Sequence, residues 1–514
     1  MGDEWSSDAN EAVSIELVEA DANALRTVHR FHPKFTYPIF GEEERIFGYK
    51  ALDITFRFAA HDLRPNCVIS YDRKFPAIAD TAALDIRDAL KDFIPAAAFA
   101  KANDFEKTVQ NDSSAQEFTP PGKLVKSYSR KGKNFEIWSG SLLDSRVRET
   151  IHRMQIFISF FIEAGTPLNT TDADWTLDRW TVYFVYEKSS RPSLPTRSPY
   201  TFIGYATTYR FYTFRPRYQT STESGGDTHV SDIVLPSKEE ITAAALPSRL
   251  RISQFLILPP HQASGHGSAL YNSIYSYALA DSTIRELTVE DPSEEFDMLR
   301  DINDWKVLEP KFAATDVKIN TSPSDPSQKR RLRRLPTPKL LPIETLRSIR
   351  SETKIAPRQF ARQLEMYLLS LIPFSHRAAG GANLTKLLIQ KSKTSNPHDK
   401  FYYWWRLILK QRIFKKNRDV LLQLEGNERQ QKIDEAARAQ EDEYEKLLLI
   451  FATSKAKELP KNGNSGTAGE VLVKDRKRKL VPDEDEDDDP NSPSLEPDAK
   501  VARSNGKIHD SDHF

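Results

Sequence analysis

An α/β chain of the α+β kind, built on a mixed central sheet, is what the sequence predicts, and three observations predict it. Short alternating apolar runs with turn punctuation fill Val13 to Gln110. A strand, glycine-containing loop, helix, strand unit lies between Leu250 and Glu290. Beyond it the chain turns to charged helical patterns.

The 514 residues allow two or three domains. Hydrophobic residues at 39% and aromatics at 10% are enough for a core over most of the length. Lysine plus arginine equals aspartate plus glutamate at 73 each, so overall charge selects no partner and its distribution carries the information. The single cysteine, Cys67, excludes an intrachain disulfide and a cysteine-built zinc site, and reads as a buried, inert thiol. The 11 histidines show no ligand pattern (His29 and His32, three apart, lack companions), so no metal is expected. The acidic start has no apolar signal segment and no run is long enough to span a membrane, which predicts a soluble intracellular protein.

Taken in order, Ser14 to Val18 and Ala51 to Phe58 alternate as strands, and Tyr37-Pro38 marks a turn. Asn111 to Gly122 reads as a loop. From Leu142 to Ala164, the spacing of Val147, Ile151, Met154, Ile158 and Phe161 predicts one amphipathic helix. Trp180 to Glu187 and Phe202 to Phe214 predict a hairpin. Gln219 to Pro247, polar and then alanine-rich, reads as an insertion. Leu250 to Leu258 is a strand closed by Pro259-Pro260, since proline has no amide for a ladder. Leu270, Ile274 and Tyr277 mark one face of a helix ending near Ala280, and Ile284 to Glu290 is the next strand.

Arg330 to Lys339 is a basic linker. Pro357 to Leu371, Phe401 to Leu424 and Glu428 to Phe451 read as helices, the first with proline in its opening turn. Beyond Lys455 the polar composition, with a basic cluster from Lys474 to Lys479 and an acidic run from Asp483 to Asp489, predicts disorder.

The loop Gln262-Ala263-Ser264-Gly265-His266-Gly267-Ser268 sits between strand and helix. Its glycines let backbone approach a ligand, and its amides with the helix N-terminus suit a pyrophosphate. Surface turns use glycine as freely, so the loop alone leaves both readings open. It has neither the Walker ending nor the three-glycine dinucleotide spacing.

Context adds to this. Glutamine, two residues, glycine, one residue, glycine resembles the coenzyme A signature of the GNAT superfamily of N-acetyltransferases. The strings QFLILPPHQASGHGSALYNSIY, LTVEDPSEEFDMLRDINDW and FHPKFTYPIFGEEERIFGYKALDI resemble the type B histone acetyltransferases of fungi, over roughly residues 10 to 425. The resemblance implies a GNAT fold with a splayed central sheet. It implies an α+β substrate-recognition domain (13–140), an acetyltransferase domain (141–325) and a helical region (326–455), set between a flexible N-terminus (1–12) and the disordered tail (456–514) that composition predicts. It also implies acetyl-coenzyme A as cosubstrate, with Phe255, Leu256 and Ile257 meeting the pantetheine arm. Gln262, Ala263, Ser264, Gly265, His266, Gly267 and Ser268 would then hold the pyrophosphate, and Ser293 would be a further contact. His266 is read as a solvated loop residue, not a catalyst.

Acetyl transfer needs a neutral amine. With a free pKa of about 10.4, only roughly one lysine in 2,500 is neutral at pH 7, a deficit of about 4.6 kcal/mol that a positioned carboxylate can relieve. Glu290 ends the strand after the helix, where topology faces a crevice. Read from the residues alone it is equally a solvent-facing strand end. The resemblance implies Glu290 as general base, Asp291 as helper or alternate, and Glu163 as a further acidic residue near the acceptor. It also implies tail-binding segments at Glu42, Glu43 and Glu44, before Phe47-Gly48-Tyr49, and at Tyr209, Arg210 and Phe211.

What the resemblance implies of partners is the N-terminal tail of new, free histone four and a WD-repeat escort subunit, without membrane or direct nucleic-acid binding. The basic cluster resembles a nuclear import signal, and nuclear and cytoplasmic residence together is expected. Two other readings stand beside this one: a different amine or protein N-acetyltransferase, and a non-catalytic histone-binding module. The insertion at 219–247 and the long tail depart from the family pattern.

Overall fold

A computed structural model describes residues 3–458, apart from 23, 79–80, 190–193, 214–216, 223–227, 235–245, 323–336 and 382–395, with backbone alone at 217–222, 228–234 and 454–458. Residues 330–336 of the basic linker, the Lys474–Lys479 cluster and the acidic run lie outside the described residues.

The first sheet contains β1 (Val13–Ala20), β2 (Leu25–Phe31), β3 (Asp53–Ala59) and β4 (Pro65–Ser70), in the order β2–β1–β3–β4. Only the β1–β3 pair is parallel. In β3 the period of two is plain: Ile54, Phe56 and Phe58 are buried, with Thr55 and Arg57 partly exposed between them. Tyr37-Pro38 opens a one-turn helix, Tyr37–Phe40, instead of the expected turn, with proline where its missing amide costs nothing. Helix α1 (Ala102–Gln110) places Phe105 and Val109 against Val18 and Ala59.

Strands β5 (Lys123–Arg130) and β6 (Lys133–Ser141) form a hairpin. Lys131 (φ 48°) and Gly132 (φ 78°) turn it, two successive left-handed residues that match the strand twist. The single helix expected from Leu142 to Ala164 is two, α2 (Ser145–Met154) and α3 (Ile156–Phe161), interrupted at Gln155. The one-sided stripe belongs to α2; from Ile156 to Phe160 every residue is buried, so α3 runs inside the core.

Next come β7 (Trp180–Lys188), β8 (Tyr200–Tyr212), β9 (Arg217–Thr222), β10 (Thr228–Val234) and β11 (Ser248–Ile257). The stretch expected as an insertion contains the β9–β10 hairpin. Then follow α4 (His266–Ala280), β12 (Ile284–Val289) and α5 (Glu294–Ala314), the last unassigned from sequence. The central sheet runs β12–β11–β8–β7–β6–β5, parallel only at β11–β12, where α4 makes the crossover. One hydrophobic core, including Val13, Phe56, Phe157, Phe160, Phe184, Tyr205 and Leu258, joins the first sheet, α2, α3 and the central sheet.

Helices α6 (Ile343–Thr353), α7 (Pro357–Ser370), α8 (Pro397–Lys416) and α9 (Gly426–Glu458) complete the described chain. After α6, the Lys354 carbonyl accepts from Leu287 N at 2.8 Å and Ile355 bridges Leu287, completing the outer edge of β12. Lys354 Nζ donates to the carbonyls of Ala278, Leu279 and Asp281 at the end of α4, where a cation suits the helix dipole. Buried Glu365 is met by Arg412 and Tyr444, and buried Glu441 by Arg406 and Tyr402, so these buried carboxylates do not stand alone.

A polar network sits among α4, α5 and α7. Tyr271 Oη donates to Asp304 Oδ1 (2.7 Å), and Gln359 Nε2 to Asp304 Oδ2 (3.0 Å) and Asp301 Oδ1 (2.9 Å). Arg362 pairs with Asp301 at 2.7 Å, whereas burial pushes the Asp304 carboxyl up to about 7. The native state therefore holds this proton more tightly than the unfolded chain. Its contribution to stability is complete below about pH 4 and is lost as pH rises towards 7. Asp304→Asn should remove up to about 1.4 kcal/mol per pH unit of slope over that window, read as a flatter melting-temperature profile than wild type.

Candidate functional site

The site begins with a parting of two strands. β11 and β12 run parallel to the pair Ile252–Val289, and Glu290 N donates to Ile252 O at 2.9 Å. There β11 bulges: Thr208 faces Ile252 and Thr207 faces Gln254, leaving Ser253 as the extra residue. Past the bulge, β11 keeps β8 as its partner, and among the described residues no strand covers its other side.

Register decides what that open side offers. Leu258 N donates to Ile203 O at 2.9 Å, so by alternation Leu256 also turns its backbone towards β8. Phe255 and Ile257 turn theirs to the open side, where Ile257 O accepts from Gln262 Nε2 at 2.8 Å. Of the three strand residues expected at a pantetheine arm, Phe255 and Ile257 therefore turn their backbone to the open side, the Ile257 carbonyl already engaged by Gln262. Gly204, opposite Ile257, allows the close approach of β8, since a Cβ there would lie 2.4 Å from Leu256 O and 2.9 Å from Ile257 Cα.

The loop then turns through two left-handed residues, Ala263 (φ 53°) and Gly265 (φ 80°), and Gly265 opens α4 with no side-chain cap. The first-turn amides have no partners within a helix, and they belong to the loop that directly follows β11. Gly267 lies against α5: a Cβ would sit 2.6 Å from Leu299 Cδ1 and 3.7 Å from the Phe255 ring. Ser268 Oγ accepts from Asn303 Nδ2 at 3.1 Å, and Ser264 Oγ donates back to Gln262 O at 3.2 Å. Arg130, at the β5–β6 tip, lies over the loop, with its guanidinium carbon 2.7 Å from where a Gly265 Cβ would be. That cation was not found from sequence, because nothing local ties residue 130 to residue 265.

His266 is buried, not solvated as expected. Its Nδ1 and Tyr128 Oη are 2.9 Å apart and its ring is 4.4 Å from Phe135. Burial, then the nearby Arg130 charge, lowers its pKa; His261 beside it is pushed down to about 3 by burial and by His29 and His266. Both rings are therefore neutral supports behind the loop. Ser293 caps α5, accepting from Phe296 N at 3.3 Å.

Glu290 lies at the lip of the parting, and its carboxylate meets Arg251 (Nη2 to Oε1, 3.1 Å). Asp291, exposed, takes φ 32° ahead of Pro292. Glu163 is exposed just past α3. Among the described residues no hydrogen bond or ion pair joins it to Glu290 or Asp291. Its turn is fixed from two sides: Gln254 Nε2 donates to Thr166 O (2.9 Å), and Ala164 N donates to Tyr37 Oη (3.2 Å).

Of the acidic triplet, Glu42 and Glu43 are exposed. Glu44 turns inward to accept from Thr36 N, Tyr37 N and Asn10 Nδ2, bonds that outweigh burial and lower its pKa. Tyr209 packs on Trp180 (4.8 Å) and Phe211 on Tyr209 (4.7 Å), whereas Arg210 faces α4 and pairs with Asp281 at 2.6 Å. Cys67 is buried, and burial pushes its thiol up to about 12, out of nucleophilic range. Among the described residues no cluster of three or more histidine, cysteine or acidic residues could hold a metal, and no helix is long and apolar enough to cross a membrane.

Residues 5–163 match the family described as histone acetyl transferase HAT1 N-terminus. Over 471 residues the chain is 50% identical to the histone acetyltransferase type B catalytic subunit of Aspergillus oryzae, covering 91% of each. It is 49% identical to that of Aspergillus fumigatus (94% of this chain, 86% of the relative) and 38% to that of Neurospora crassa (87% and 88%). The chain belongs to the histone acetyltransferase type B catalytic subunit family. It is an acetyltransferase.

Because Gly204 sets the separation of β8 and β11, the acetyltransferase carrying Gly204→Ala should lose about 1–3 kcal/mol of stability by overpacking, read by denaturant unfolding.

Proposed function

We propose that this acetyltransferase moves the acetyl group of acetyl-coenzyme A to lysines in the N-terminal tail of newly made, free histone four, with Glu290 as general base. The observation that carries the reading is the mouth left where β11 and β12 part. Among the described residues it has a backbone edge at Phe255 and Ile257 that no strand covers, a loop turned through Ala263 and Gly265 at its end, and a carboxylate on its opposite lip.

These residues fit the coenzyme. Phe255 and Ile257 can pair with an amide-bearing arm as a further strand would. The Gln262–Ser268 amides and α4 N-terminus can hold a pyrophosphate, with the Arg130 cation beside them. The coenzyme supplies the acetyl group as a thioester. Glu290 takes a proton from the acceptor ammonium; the freed amine attacks the thioester carbonyl directly, the carbon–sulfur bond breaks, and the thiolate leaves and takes up the second proton that the nitrogen sheds as the neutral amide forms. No residue is acylated on the way, in keeping with the buried Cys67.

The histone reading rests on the names of the relatives and on the surface beside the mouth. Glu42, Glu43, Glu163 and Asp291 are exposed carboxylates suited to a basic tail. Tyr209 and Phe211 give an extended chain an aromatic floor. Glu44 serves indirectly, through the Tyr37 turn that holds the Glu163 loop. A WD-repeat escort subunit and residence in nucleus and cytoplasm belong to the same proposal.

Acetyl transfer to a histone-four tail peptide tests it. Glu290→Gln should lower kcat by about 10²–10⁴, with partial recovery at high pH where more acceptor amine is already neutral. Near-wild-type activity would move the base to Asp291, Glu163 or water. Equal use of spermine and the peptide by wild type would overturn the histone assignment.

A further inference from the structure

The carboxylate proposed as base already holds a cation. Arg251 lies on β11, and its Nη2 is 3.1 Å from Glu290 Oε1, both side chains being partly exposed. The same guanidinium stacks 4.4 Å from the centre of the Phe211 ring. Phe211 packs on Tyr209 and Tyr209 on Trp180, a row of rings leading away from Glu290. Among the described residues the buried Arg251 Nε has no hydrogen-bond partner.

We infer that Arg251 is an internal stand-in for the acceptor's ammonium, a specificity-determining residue that an incoming lysine must displace from Glu290. The inference rests on the reading of Glu290 as base. A partly exposed ion pair is screened by solvent and weak enough for exchange. A guanidinium cannot lose its proton in a protein, so Arg251 occupies the carboxylate without being a substrate for it. The aromatic ring gives the displaced guanidinium a place to remain, stacked face to cation. The exchange is cation for cation: a lysine gains what Arg251 gives up, and an uncharged nucleophile has nothing to offer Glu290. Arg251 thus acts through Glu290 as a positioning residue and sets a threshold that only a cationic acceptor seated beside the rings overcomes.

Arg251→Met keeps a stem over Phe211 and removes the charge. It should lower the KM for a histone-four tail peptide about two- to five-fold, with kcat changing less and the acetyl-coenzyme A KM unmoved, whereas Arg251→Lys should restore the wild-type KM. A peptide KM that stays or rises in Arg251→Met, with kcat falling, would make Arg251 a support for Glu290 and overturn the inference. Peptide affinity measured by calorimetry, with coenzyme A bound, completes a cycle with Glu290→Gln. The gain from Arg251→Met should vanish in the Glu290→Gln background, and additive effects would overturn the exchange. Failure of the underlying reading shows separately, as an active Glu290→Gln single variant.

Discussion

Everything at the site depends on the point where β11 stops pairing with β12. A sheet that stayed zipped would satisfy every backbone group and leave nothing for a ligand. The bulge at Ser253 changes which residues of β11 face which side, and the last shared bond, from Glu290 N to Ile252 O, fixes where the opening begins. That bond anchors the backbone of the residue proposed as base, so the opening and the carboxylate are registered to each other by one contact. Gly204 on the far side lets β8 stay close while β11 turns away.

Around that opening the molecule uses its polar groups in two ways. Groups behind the site are held in place: the neutral His266 packed against Phe135, Gln254 bonded to Thr166, Arg210 paired with Asp281 and Glu44 capping the Tyr37 turn. Groups at the mouth remain exchangeable, among them the loop amides and the weak Arg251–Glu290 pair. Rigid support under replaceable contacts is what a transferase needs, because its ligands must arrive and leave while the reacting geometry stays constant.

Legibility from sequence followed the range of the interaction. The β11–loop–α4–β12 unit and the β7–β8 hairpin were readable because apolar period and turn residues lie within each segment. The β5–β6 hairpin was not, since β5 is a mostly exposed edge strand with little alternation to read. Helix α5 was hidden by its charges and by Pro310 near its end, and its burial of Asp301 and Asp304 depends on partners in α4 and α7. At the site, sequence could nominate Glu290, Glu163 and the loop. It could not foresee the burial of His266, the inward turn of Glu44 or the charge of Arg130 over Gly265, each created by residues distant in the chain.

The bridge from Lys354 and Ile355 to Leu287 has a consequence for how the chain comes into being. The strand that ends at Glu290 leaves the ribosome well before the segment that meets its outer edge. Until residues 354–355 emerge, that edge is an uncovered row of amides and carbonyls, open to pairing with any other extended chain. The strand beside the proposed site is thus one that needs guarding long during synthesis, and the segment between α6 and α7 ends that vulnerability when it docks.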